Sequence, residues 1–276
     1  MLSMKTIVLT GAGGGIGSSA AKAFLAKGYA VFGLDLKEPA DCQGIRFIKT
    51  DLTDPVSVQA AYDLCRKECG HVDWLVHAAG IYDLNSLVEM KEEEFLGIFN
   101  VNLFGVYRIN RTFLPLLQNG SRILILTSEL APLDPLPYTG IYAVTKSALD
   151  CYAFSLRMEL QLLGIRVIVL RPGAVDTGLL DVSTRRLDAF CRGTSLYKTG
   201  ADRFRRIVER VEARKIKPEK LAARMIAILS SRHPRYVYSV NRNPLLLLMN
   251  ALPDRLQCFL IRRLIQEKPS SRSAKI

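Results

Sequence analysis

Apolar residues recur along the chain as short runs at 6–9, 30–34, 46–49, 74–77, 123–126, 166–170 and 236–239. Most are continuously apolar rather than alternating with polar residues, which predicts strands buried on both faces, the pattern of a parallel sheet. Between them lie longer stretches with helical spacing, such as 56–69 and 142–163, that supply crossovers. The pattern predicts an α/β fold: one doubly wound, seven-stranded parallel sheet with helices on both faces.

Residues 176–217 break this rhythm with a polar, arginine-rich stretch that also carries Phe190, Leu196 and Tyr197. A long insertion after the carboxyl end of a strand lies where such sheets bind ligands, so it is expected to be a substrate lid. Residues 218–231 predict a helix that starts at proline. Residues 243–267 combine a leucine run with a second stretch in which Leu256, Phe259, Leu260 and Leu264 share a helix face, flanked by Arg255, Arg262 and Arg263. Such a cationic amphipathic segment can rest on a membrane interface, cover an apolar pocket, or pack against the body or a second subunit. Residues 1–269 are expected to form one domain, with 270–276 a flexible polar tail.

The net charge is +12, and its distribution matters more than its size. Residues 185–276 hold 22 lysines and arginines against 7 acidic residues, whereas the preceding part is close to neutral. No nucleic-acid-binding signature accompanies the charge, so nucleic acid is not an expected partner. An anionic membrane surface, an acidic partner, an anionic substrate or a merely solvated surface all fit. No apolar run reaches the ~18 residues a membrane-spanning helix needs. The N-terminus leads straight into a strand without room for a signal peptide, so a cytoplasmic protein is expected, with membrane association open to its basic C-terminal third. The six cysteines lack paired spacing and are expected to be reduced; Cys65, Cys69 and His71 read as packed thiols beside a histidine rather than a metal site.

Two motifs carry the chemistry. Thr10-Gly11-Ala12-Gly13-Gly14-Gly15-Ile16-Gly17 follows the first strand and opens a helix. In that context glycines permit a tight turn and let backbone N–H groups and a helix N-terminus approach a pyrophosphate. Tyr142 and Lys146, four residues apart, share a helix face. A free tyrosine, with a pKa near ~10, is a poor base at neutral pH. A neighbouring ammonium favours the phenolate, so Tyr142 is expected to exchange the proton of an alcohol or carbonyl oxygen.

With Asp51-Leu52, Ala78-Ala79-Gly80, Asn102, Ser128 and Pro172-Gly173 in order, the chain resembles the short-chain dehydrogenase/reductase superfamily over residues 5–240. The resemblance implies a Rossmann-type fold, an alcohol dehydrogenase or ketone reductase activity, and a tetrad of Asn102, Ser128, Tyr142 and Lys146. It implies cofactor contacts from Gly11, Gly14, Gly15, Ile16 and Gly17, from Asp35 and Leu36, and from Asp51, Leu52, His77, Ala78, Ala79 and Gly80. Tyr142, Lys146, Pro172, Gly173, Val175 and Thr177 complete that set on the nicotinamide side. Asp35, ending the second strand, accepts hydrogen bonds from ribose hydroxyls and repels a 2′-phosphate, which favours NAD(H) over NADP(H). His77 stands where the family has asparagine, and no proton chemistry is assigned to it. Capping of the following helix is the other role open to Asp51.

Ser128 precedes Tyr142 by one residue more than the family's commonest spacing, so a one-residue enlargement of the proline-rich loop between them is expected. The alternative register would put Glu129 in the serine's place. Ser128, Leu130, Tyr138, Tyr142 and Leu179 are expected to contact substrate. With Tyr82, Leu84, Leu136, Leu180 and Phe190 they form a largely apolar set, which favours a lipophilic, steroid-like alcohol or ketone. The C-terminal pattern is similar to that of hydroxysteroid and retinol dehydrogenase-like members, and the resemblance implies a homodimer or homotetramer. A 3-oxoacyl thioester reductase and a non-catalytic NAD-binding scaffold are the competing readings.

Overall fold

The computed structural model describes residues 4–39, 43–212 and 214–266; the side chains of 178–185, 199 and 209–212 lie outside that description. Seven parallel strands form one sheet in the order β3-β2-β1-β4-β5-β6-β7. They are β1 (Thr6–Thr10), β2 (Ala30–Asp35), β3 (Arg46–Lys49), β4 (Trp74–His77), β5 (Arg122–Leu126), β6 (Arg166–Pro172) and β7 (Val237–Val240). Every run of apolar residues singled out in the sequence falls on one of them, so the doubly wound parallel sheet stands. The order reverses between β1 and β4, and the carboxyl ends on either side of that point hold the cleft such sheets use for ligands.

The period of two along each strand builds two cores. Val8, Leu75, Ile123, Ile125, Val167 and Val169 face α2 (Pro55–Glu68), α4 (Val106–Phe113) and α5 (Gly140–Leu160), which supply Val58, Ile109, Phe113, Leu149 and Ala153. Their neighbours Ile7, Leu9, Trp74, Val76, Leu124, Ile168 and Leu170 face the opposite way. There α1 (Gly15–Leu25) and α8 (Pro218–Ser230) contribute Ala21, Phe24, Leu221, Met225 and Ile228. Burial on both faces is what removed polar residues from these strands. Cys65 lies in the first core, and burial pushes its thiol up to about 12.

Helix α3 (Glu92–Phe99) continues into α4 through a π-helical widening at Asn100–Gly105. The arginine-rich stretch 176–217 folds into two helices, α6 (Gly178–Gly193) and α7 (Lys198–Glu212). Leu187, Phe190, Ala201, Phe204 and Val208 of this pair close with Leu84 into a third, separate apolar cluster. The chain then crosses to β7 and ends in α9 (Pro244–Asn250) and α10 (Asp254–Ile265). The tail 270–276 lies outside the described residues. Among the described residues no helix is long and apolar enough to cross a membrane.

Candidate active site

The glycine turn is shaped by close backbone approach. Gly11, at φ 75°, would place a Cβ 2.4 Å from the Ala79 nitrogen, and a Cβ on Gly17 would lie 2.0 Å from the Gly11 carbonyl oxygen. Any side chain at these two positions would push β1 away from β4 or break the turn into α1. No side chain caps α1, whose first turn follows Gly14 in extended backbone, so its N-terminal dipole points into the cleft. Asp35 closes one end of the turn, accepting from the Gly13 N–H at 2.9 Å and from the Lys37 N–H at 3.1 Å. Leu36 beside it is exposed. On the other side Thr177 stands over the turn, its Cβ 2.6 Å from where a Cβ on Gly15 would sit.

From this turn a cavity of about 160 Å³ runs past Ile16, Ala78, Ala79 and Gly80 to Ser128, Tyr142 and Lys146, with Pro172, Gly173, Val175 and Thr177 as its far wall. A side-chain-free cradle, an uncapped helix start, a carboxylate beyond it and a cavity leading to titratable groups are what a nicotinamide dinucleotide requires. The residues present fit that group.

Around the reacting end, Ser128 ends the extension of β5 and its hydroxyl hydrogen-bonds the Tyr142 phenol. The enlarged loop therefore leaves serine, not Glu129, paired with the tyrosine. Tyr142 packs edge-on against Tyr82, ring centroids 4.6 Å apart. Lys146, one turn on, holds its ammonium 5.7 Å from the centroid of the Tyr142 ring and donates to the Leu126 carbonyl at 3.2 Å. Fully buried Asn102 sits in the π-helical widening, a distortion that recurs at functional sites because it turns a side chain out of the helical register. Its amide accepts from the Ile81 N–H at 2.8 Å and donates to the Ile81 carbonyl and the Thr145 hydroxyl. Gly80 lies between the two, since a Cβ there would stand 3.3 Å from both the Asn102 Oδ1 and the Lys146 Nζ.

Ionisation departs from the expectation that Lys146 acidifies Tyr142. Burial dominates both groups: it pushes the phenol up to about 12, against the pull of the Ser128 hydrogen bond, and lowers the lysine to about 8. At neutral pH the phenol is a proton donor, the form carbonyl reduction consumes.

The helix pair α6–α7, expected to form a substrate lid, is tied among the described residues at two points to the segment that follows β4. Buried Asp83 pairs with Arg186 of α6 at 2.9 Å. Glu89 accepts from the Thr194 hydroxyl at 2.7 Å, the Ser195 N–H at 2.7 Å and hydroxyl at 3.0 Å, and the Leu196 N–H at 3.1 Å. These hydrogen bonds hold its carboxyl down at about 2. Neither acidic residue was singled out in the sequence, where an isolated Glu gives no sign of a partner a hundred residues away.

Other expected site residues fall in varied surroundings. Leu130 lines the cavity. Tyr138, at φ 63°, turns into the lid cluster and packs on Phe190, Tyr197 and Phe204, with ring centroids 4.6, 5.1 and 5.0 Å away. The side chain of Leu179 lies outside the described residues. Asp54, not Asp51, caps α2, accepting from the Val56 and Ser57 N–H groups. Asp51 instead accepts from the Thr53 N–H and hydroxyl at 2.8 and 2.7 Å, and Leu52 is buried against Gly105. His77 points into the first core, where its Nε2–H donates to the Asn110 Oδ1 at 2.8 Å. Burial holds its ring near 4 and therefore neutral. Leu246 of α9 joins the cavity wall, a role its place in a run of four leucines did not disclose.

The family described as short chain dehydrogenase matches residues 5–187. A 3-ketodihydrosphingosine reductase of Bacteroides thetaiotaomicron is 28% identical over 262 residues, covering 93% of this chain and 96% of its own. Among solved structures, an alcohol dehydrogenase from Thermococcus sibiricus complexed with 5-hydroxy-NADP is 26% identical, with a TM-score of 0.68 over 86% of this chain and 96% of its own. A 3-ketoacyl-(acyl-carrier-protein) reductase from Brucella melitensis complexed with NADH is 25% identical, with a TM-score of 0.69 over the same shares.

Proposed function

Because the chain belongs to the short-chain dehydrogenase family, as an oxidoreductase acting on alcohol and ketone groups, we propose that it is an NAD(H)-dependent reductase of lipophilic ketones. The observation that carries this reading is the meeting of Ser128, Tyr142 and Lys146 in one cavity whose walls are largely apolar. Bound nicotinamide supplies or accepts the hydride. Ser128 and Tyr142 hold the substrate oxygen between two hydroxyls, and the neutral phenol gives its proton to that oxygen as charge develops there. Lys146 holds positive charge beside the phenol, and Asn102 fixes the strand-to-helix segment against α5. Proton loss to water is limited by Leu130, Tyr82 and Leu246 around the oxygen.

The nucleotide preference is argued from Asp35, whose carboxylate beside the glycine turn would accept from ribose hydroxyls and repel a 2′-phosphate. His77, bound inward to Asn110, leaves the ribose contacts there to the backbone of residues 78–80. Asp51 and Leu52 remain assigned to the adenine edge. The sphingoid ketone in the name of the Bacteroides relative favours a long alkyl chain over a steroid nucleus. Apolar residues left exposed on α9 and α10, namely Leu245, Leu248, Leu256, Phe259 and Leu264, support contact with an anionic membrane through which such a substrate arrives. Arg255, Arg262 and Arg263 are exposed beside them. Phe104 of the π-helical widening, Tyr107 of α4, and Phe154 and Met158 of α5, all exposed, support assembly with a second copy.

The test is NADH and NADPH oxidation measured side by side against ketones of increasing chain length and a polar keto-sugar. The reading expects NADH to be preferred and kcat/KM to rise with chain length. Equal use of the sugar, or no turnover with any ketone, would remove it.

A further inference from the structure

The reacting end of the cavity carries a charge that the proton chemistry leaves unused. Glu129 follows Ser128, is only 8% exposed, and lines the cavity that Ser128, Tyr142 and Lys146 share. One carboxylate oxygen, Oε2, accepts from the Asn243 N–H at 2.6 Å at the start of α9. The other, Oε1, accepts no hydrogen bond among the described residues and stands against Gly173, a wall of the same cavity, 2.8 Å from where a Cβ would lie. Gly173 leaves room for this oxygen and, more tightly, for the Asn241 carbonyl oxygen, 2.0 Å from where the same Cβ would lie. Burial raises the Glu129 carboxyl above the usual carboxylate range, against the Asn243 N–H and the charge of Arg242, which is exposed and makes no ion pair with Glu129 among the described residues. Lys146 is committed to the Leu126 carbonyl.

A carboxylate this deeply buried costs free energy unless a positive group or a full set of donors meets it. Anchoring α9 uses one oxygen and would be served equally by a neutral amide. An ionisable group that lines the cavity, on the residue next to the serine that holds the substrate oxygen, is placed to meet a cation on the substrate. The Glu129 charge is felt at the Tyr142 phenol, which shares the cavity, so a cation beside the substrate oxygen would lie within its field. Resting on the reductase assignment above, we infer that Glu129 recognises an ammonium group beside the substrate carbonyl, which makes the substrate class long-chain amino ketones and the matching amino alcohols. The apolar lining around Leu130 and Leu246 takes the start of the alkyl chain.

The experiment compares kcat/KM for three ketones of equal chain length with the full chain: 3-ketodihydrosphingosine with its free 2-amino group, its N-acetyl derivative, and the ketone lacking nitrogen. The wild type should favour the free amine by about ten- to a hundred-fold, the range of a charge-assisted hydrogen bond out of water. Glu129→Gln retains an acceptor for the Asn243 N–H. It should erase that preference while leaving the two neutral ketones within about three-fold of wild type. Calorimetry with sphinganine should show the same loss of affinity without turnover. Equal use of all three ketones by the wild type, or an equal fall for all three in Glu129→Gln, would overturn the inference and leave Glu129 as the anchor of α9. Failure of every ketone with both nucleotides would instead bring down the reductase assignment, and this inference with it.

Discussion

The ammonium of Lys146 stands 5.7 Å from the centre of the Tyr142 ring, yet its hydrogen bond goes to the Leu126 carbonyl. The pair is a buried acid beside a buried base, each pushed towards its neutral form by loss of water. The fold carries that cost for the sake of the chemistry.

Replacing Lys146 by methionine should therefore end turnover and strengthen the fold. A lysine lowered from 10.5 to about 8 carries roughly 3 kcal/mol of penalty at neutral pH, fully present below the folded value and relieved as pH rises through the unfolded one. Leaving the Leu126 carbonyl without its donor returns ~1–2 kcal/mol of that. A net gain of ~1–2 kcal/mol, read as a Tm increase of about 2–6 °C, is expected. A lower Tm would show that the charge is better paired than its hydrogen bond indicates.

The pH dependence of the two directions should differ in sign. Ketone reduction needs the protonated phenol, which persists to about pH 12, and the lysine charge, which is lost above about 8. Its kcat/KM should be level below pH 8 and fall above it. Alcohol oxidation needs the phenolate, so it should climb about tenfold per pH unit until loss of the Lys146 charge near pH 8 offsets the gain. Parallel profiles in both directions would contradict this assignment of protons.

Glu89 is the latch of the lid. Its carboxyl is depressed, so its contribution is present above the ordinary carboxylate range and lost only as pH falls towards about 2. Glu89→Gln should weaken the four donors' grip, raise KM several-fold with little change in kcat, and expose the arginine-rich stretch 176–217 to trypsin. Unchanged cleavage kinetics would mean that the Asp83–Arg186 pair and the apolar cluster hold the lid unaided.

The central strands were legible because burial on both faces leaves mostly apolar residues; β3 and β7, at the sheet edges, are partly exposed, yet each expected run lies on a strand to within two residues at either end. The glycine turn was legible for a similar reason: a Cβ at Gly11 or Gly17 would collide with backbone, so only one residue type serves. What depended on distant partners was not. Asp51 and Asp54 look alike before α2, and only backbone geometry decides that Asp54 caps it. The packing of Tyr138 on Phe190 was not legible either, because it depends on a left-handed backbone at that residue. The apolar face read into α10 is the outward one: Leu256, Phe259 and Leu264 are exposed, while Gln257 is buried and donates to the Met249 carbonyl. The ionisation of Tyr142 followed desolvation rather than its charged neighbour, a balance that spacing along a helix does not contain.

Proton transfer depends on the Tyr142 hydroxyl, and Tyr142→Phe removes that atom while keeping the ring against Tyr82. The decisive measurement is kcat for reduction of a long-chain ketone by this variant, with NADH affinity followed in parallel by fluorescence. The account predicts a loss of at least about a thousand-fold in kcat, with NADH affinity within about three-fold of wild type. A variant that keeps a tenth or more of wild-type kcat would contradict it.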